Sequence, residues 1–226
     1  MNKKSIVIFS IVILLVVVGI ATFFVLQKNN NNKDEKQSNN TNTTSVANIE
    51  NKETKNNETN NNETSSKKSA VVYFSATGNT KQIAEYIKDE TNSDIFEIIP
   101  KQKYTSEDLN YGDNNTRATR EQNDDSARPE IENKIDVSNY DVIFLGYPIW
   151  WGNVPKIILS FIDSTNLDGK TVAPFCTSGS SGISTSQQTL KSYKSSINWI
   201  LGERFSSSSS KEEVKTWIDG LHLNLN

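Results

Sequence analysis

Hydrophobic positions are spread very unevenly along this chain. Residues 5–26 (SIVIFSIVILLVVVGIATFFVL) are 22 consecutive residues without a charge. A helix of that length crosses a bilayer. Residues 27–69 hold no aromatic residue and are dominated by Asn, Lys, Glu, Thr and Ser. That composition has nothing to pack, and it predicts a disordered tether with a mean span on the order of 35 Å. From Ala70 to Asn226 the pattern changes to short β-branched runs alternating with helical stripes, which predicts one folded domain.

Within the domain the elements come in a regular order. Ala70 to Ser75 is an apolar strand pattern, followed at once by a helix with Ile83, Ala84 and Ile87 on one face. Asp94–Ile99 is a second strand, stopped by Pro100. Residues 101–135 are polar and irregular, with a charged helix-like piece at 116–125; a connection of that length predicts a lid or a disordered loop. Tyr140–Tyr147 reads as a buried central strand. The helix after it carries Val154, Ile157, Ile158, Phe161 and Ile162, with Asn153 placed to cap it and Pro155 near its first turn. Lys170–Cys176 is a fourth strand, 184–193 a weaker helix and Ile197–Leu201 a fifth strand. A capping box at Ser210–Glu213 opens a last helix with Val214, Trp217, Ile218 and Leu221 on one side. Strands alternating with helices predict an α/β fold: a doubly wound, five-stranded, mainly parallel sheet with helices on both faces. In such sheets ligands sit beyond the carboxyl ends of the strands. Three loops converge there: 75–80, 147–153 and 177–182.

Lys3, Lys4 and the amino terminus precede the apolar run. They place residues 1–4 in the cytoplasm and the domain outside the membrane. An uncleaved signal anchor fits better than a cleaved signal peptide: Gly19-Ile20-Ala21 is a poor cleavage site because the apolar run continues to Leu26. The expected location is therefore the cell membrane, single-pass, with an extracytoplasmic domain.

Charge and the reactive residues narrow the chemistry. The first 69 residues carry 9 basic and 6 acidic side chains, the domain 15 and 21. A net acidic domain without a basic cluster argues against nucleic-acid binding. One cysteine, Cys176, and one histidine, His222, leave no intramolecular disulfide, no Cys/His zinc cage and no His-based triad. An arginine at position 182 would suggest Cys-x5-Arg phosphatase chemistry, but Gly182 stands there. Gly78-Asn79-Thr80 is not the Gly-Lys-Ser/Thr of a Walker loop. What remains is the turn Ser75-Ala76-Thr77-Gly78-Asn79-Thr80 at a helix N-terminus. Unpaired amides, the helix dipole and three hydroxyls suit a phosphate monoester, with no Lys or Arg in the turn. The second loop adds Trp150 and Trp151. Adjacent residues point different ways, so one Trp belongs to the core and the other, Trp151, to a flat aromatic ligand.

With these residues in view the sequence resembles the flavodoxin family. YFSATGNT is similar to its phosphate turn. GYPIWWGNVP and FCTSGSSG are similar to the two ring loops of a bacterial flavodoxin-like branch, as is Ala127-Arg128-Pro129. The resemblance covers about residues 70 to 222. It implies the strand order 2-1-3-4-5, FMN as cofactor and electron transfer as the activity. It further implies that Ser75, Thr77, Gly78, Asn79 and Thr80 hold the FMN phosphate, that Pro148, Ile149, Trp150, Trp151 and Gly152 line the isoalloxazine, and that Thr177, Ser178, Gly179 and Gly182 approach its other side and pyrimidine edge. Arg128 then either folds toward the flavin edge, meets redox partners, or is a solvated charge. The implied partners are redox proteins or membrane electron carriers. Two alternatives stay open: an NAD(P)H-dependent quinone or nitro-compound reductase on the same fold, and an interaction module that has lost its flavin.

Overall fold

The computed structural model describes residues 66–225; the predicted anchor and almost all of the predicted tether lie outside them. The element order is β1 (Ser69–Tyr73), α1 (Asn79–Thr91), β2 (Asp94–Glu97), α2 (Arg117–Asn123), β3 (Val142–Pro148), α3 (Lys156–Ser164), β4 (Thr171–Thr177), α4 (Ser184–Tyr193), β5 (Asn198–Trp199), β6 (Glu203–Phe205) and α5 (Lys211–Gly220). The strands pair in parallel in the order β2-β1-β3-β4-β5, and β6 also pairs with β4. Folded structure starts slightly before Ala70: Ser69 is already in β1, and the Lys67 amide donates to the Asn224 carbonyl at 2.7 Å.

Each central strand is buried on both faces, so its residues alternate between two cores rather than between core and solvent. Val72, Phe74, Ile143, Leu145, Tyr147 and Val172 meet α3, α4 and α2 on one face. Val71, Tyr73, Val142, Phe144, Ala173 and Phe175 meet α1 and α5 on the other. The helices present the stripes read from the sequence: Ile83, Ala84 and Ile87 from α1, Ile157, Ile158, Phe161 and Ile162 from α3, Val214 and Trp217 from α5. The capping box is formed, with Ser210 and Glu213 each bonding the other's backbone amide.

The far edge differs from the five-stranded expectation. The sheet has six strands, because the fifth is split into β5 and β6. Pro174 causes the split. By the alternation of a parallel ladder, residue 174 should donate to the Ile200 carbonyl, and proline has no N–H to give. Gln187 Nε2 fills that carbonyl instead, at 2.8 Å. The register then slips by one residue, from Val172 opposite Trp199 to Phe175 opposite Glu203. Gly202 sits in the slip, where a Cβ would lie 2.5 Å from the Pro174 carbonyl oxygen.

Two other expectations change. Helix α3 begins at Lys156 with Pro155 as its N-cap residue; Asn153 does not cap it, and its Oδ1 accepts from the Val154 amide at 2.8 Å. The 101–135 segment is packed rather than loose. Ala118 and Ile135 are buried in the core, and Tyr104, Leu109 and Ile131 pack against it. Asn133 bridges the segment to β2, accepting from the Ile99 amide at 2.9 Å and donating to the Glu97 carbonyl at 2.8 Å.

Candidate functional site

The three loops meet through Thr177, the last residue of β4. Its carbonyl accepts from the Ile149 amide at 3.0 Å, which ties in the second loop. Its hydroxyl lies 2.8 Å from that of Thr80, which ties in the first. The next residue, Ser178, donates its amide to Phe205 at 3.0 Å, so the end of β6 stands beside the third loop.

In the first loop the chain leaves β1 and enters α1 through Gly78, whose φ of 92° is a left-handed conformation that a side chain would strain. The Gly78 amide donates to Ser75 Oγ at 3.1 Å. Among the described residues, the amides of Ala76, Thr77, Asn79, Thr80 and Lys81 find no protein acceptor. Among the described residues no side chain caps the helix start. Thr77, Gly78 and Asn79 are exposed, Ser75 and Ala76 half-buried and Thr80 buried. Unpaired donors at the positive end of a 13-residue helix fit an anion. The turn contains no cation, so its donors are amides and hydroxyls alone.

The second loop is a tight hairpin. Trp150 and Asn153 exchange both backbone hydrogen bonds at 2.9 Å, and the central pair Trp151-Gly152 has φ of 48° and 76°. Positive φ at both central residues is the type I′ pattern, which favours Asn-Gly. A tryptophan held there stores strain of about 1–2 kcal/mol. The hairpin turns the two indoles apart. Trp150 is 5% exposed and packs edge-on against Phe74 and Tyr104, with ring centroids at 5.4 and 4.8 Å. Trp151 is half-buried and carries the exposed Tyr111 ring on it at 4.3 Å. Trp150 therefore supports the hairpin from inside, while Trp151 stays half-buried at its outer side. Pro148 and Ile149 are half-buried beneath it and Gly152 is exposed at the tip.

In the third loop Ser178 is half-buried, and Gly179 and Gly182 are exposed with open space around them. Segments 74–80, 144–155, 171–190 and 205–210 contain no charged residue. The three loops thus carry no charge of their own, although the domain is acidic.

Several residues that shape the site are not evident in the sequence. Arg204 donates from one terminal nitrogen to the Ser178 and Gly179 carbonyls at 2.7 and 2.9 Å, pinning the third loop. Gln122 on α2 donates to the Trp150 and Val154 carbonyls at 2.9 and 3.3 Å, clamping the hairpin. The only available hint for Tyr104 and Tyr111 was an aromatic residue standing in a polar segment. Arg128 does not join the three loops: it pairs with Asp163 at 2.9 Å near the end of α3 and donates to Tyr193.

Cys176 is fully buried, and burial pushes its thiol up to about 12. It is expected to resist iodoacetamide in the native protein at neutral pH and to label fully once denatured. Rapid native labelling would mean that the strand end opens.

A doubly wound parallel sheet with an amide-rich turn, an aromatic hairpin and a small-residue loop at its carboxyl edge defines a nucleotide-type cofactor fold. The chain matches the family model described as Flavodoxin over residues 68–221, and it belongs to the flavodoxin family. A curated relative, the flavodoxin-like domain-containing protein BilS of Clostridioides difficile, is 33% identical over 116 residues, 50% of this chain and 48% of that protein. The chain thus spans about half the length of that relative. A candidate flavoprotein from Bacteroides uniformis is 41% identical, with a TM-score of 0.66, covering 68% of this chain and 99% of its own. A flavoprotein from Lactobacillus acidophilus, solved in complex with FMN, is 25% identical with a TM-score of 0.53, over 68% of this chain and 99% of its own.

Proposed function

We propose that this domain binds FMN and carries electrons at a membrane surface. The observation that carries the reading is the run of unpaired amides at the start of α1, set beside a strained hairpin that presents Trp151. The FMN complex of the Lactobacillus acidophilus flavoprotein supports it. The amides of residues 76, 77 and 79–81 and the hydroxyls of Ser75, Thr77 and Thr80 would hold the phosphate. Trp151, backed by Pro148, Ile149 and Gly152, would take the ring, with Ser178, Gly179 and Gly182 at its other side. Bound FMN supplies one- or two-electron transfer. The chain's own part is to bind it, orient it and keep water from the buried side of the hairpin. Residues 5–26 would anchor the protein, and the Asn-rich tether after them would let the domain range over the membrane on its extracytoplasmic side. Among the described residues no helix is long and apolar enough to cross a membrane, and the anchor segment lies outside them.

The full chain, purified in detergent, is expected to be yellow, with one FMN released per chain on denaturation. Colourless protein that FMN does not reconstitute would sink the reading. Sustained NADPH oxidation without a partner protein would instead favour the reductase alternative. Recovery of the chain from cells without detergent would contradict the anchor.

A further inference from the structure

We infer that Thr177, at the end of β4, is a positioning residue for the phosphate rather than a ring contact. The inference rests on the FMN reading above. Thr177 is 6% exposed and Thr80 1% exposed, and the 2.8 Å contact is the one side-chain hydrogen bond either hydroxyl makes among the described residues. Each hydroxyl has a single proton to donate. One of the two protons is consumed between them, and the other is left for a third group. Thr80 lies in the first turn of α1, and its amide belongs to the unpaired set. An anion on those amides favours the alignment in which Thr80's own proton is the free one. Thr177 must then be the donor to Thr80, and Thr80 the donor to the phosphate. A chain aligned this way is polarised along its length and stronger than an isolated bond.

The backbone of Thr177 meanwhile holds Ile149, so the same residue couples the phosphate turn to the hairpin under the ring. Its side chain faces the α1 start, whereas the ring side is served by Ser178 and the glycines beyond it. The Thr177 hydroxyl thus bears on the phosphate and not on the isoalloxazine.

The test compares FMN with riboflavin, which has the ring and no phosphate, by fluorescence titration of the full chain in detergent. Thr177→Val is expected to weaken FMN about tenfold, the size of one buried hydrogen bond, and to leave riboflavin within about twofold. Thr177→Ser, which keeps the hydroxyl, should restore FMN binding. Thr177→Ala, which adds no bulk, repeats the comparison if thermal melting shows that valine disturbs the fold. Equal weakening of both ligands would overturn the inference and return Thr177 to the ring. Unchanged FMN affinity would also overturn it. Failure of the unsubstituted protein to bind either flavin would be a failure of the FMN reading itself, and the two results are distinguishable.

Discussion

Replacing Trp150 by alanine should lower folding stability by about 3–5 kcal/mol, as removal of a large buried aromatic side chain does. Trp151→Gly, one residue along, should leave stability within about 1 kcal/mol while greatly weakening flavin binding. The contrast follows from the hairpin. Trp150 is 5% exposed and makes edge contacts with Phe74 and Tyr104, so its loss opens a cavity under the site. Trp151 stands at φ 48°, a conformation that glycine adopts without strain. Losing its contact with Tyr111 is offset by relief of the backbone. Chemical denaturation of both variants, read beside FMN titration, checks the pair. Equal destabilisation by both would mean that the two indoles share one core.

The second large effect comes from charge. Asn79→Asp changes one amide to a carboxylate of nearly the same shape at the first position of α1. The helix dipole favours an acid there, so the flavin-free protein should gain about 0.3–1 kcal/mol. The same carboxylate would face the phosphate across a turn that has no compensating cation. FMN affinity should then fall about 100-fold at low salt, a size consistent with like charges a few ångströms apart near a protein surface. Riboflavin affinity should stay unchanged, and added salt should recover part of the loss. A variant that lost stability and kept its FMN affinity would place the anion elsewhere.

The site was legible where local chemistry dictates geometry. Hydroxyls and a glycine between a strand and an amphipathic helix fix the 75–80 turn, because only a left-handed Gly78 allows the chain to enter α1 at that angle. Two adjacent tryptophans cannot share one face, and the hairpin buries Trp150 while Trp151 stays half-buried. The helix at 184–193 and the capping box at Ser210 stand where pattern and cap place them. The split edge was not legible. Its cause is a missing N–H at Pro174, which matters only once residues nearly 30 positions away are paired with it. A three-residue β6 has no alternation to read, and Arg204 went unnoticed with it. The packing of the 101–135 segment is hidden from the sequence for a related reason. Its order comes from isolated apolar residues and from side chains such as Asn133 and Gln122 bonding distant backbone, and neither leaves a period in the sequence.

A crystal structure of the full chain with FMN would show where the phosphate and the ring sit. The phosphate is expected on the amides of residues 76, 77 and 79–81 with Thr80 donating to it, and the ring against Trp151 while Trp150 stays in the core. A phosphate bound away from the start of α1, or a ring stacked on Trp150, would contradict this arrangement.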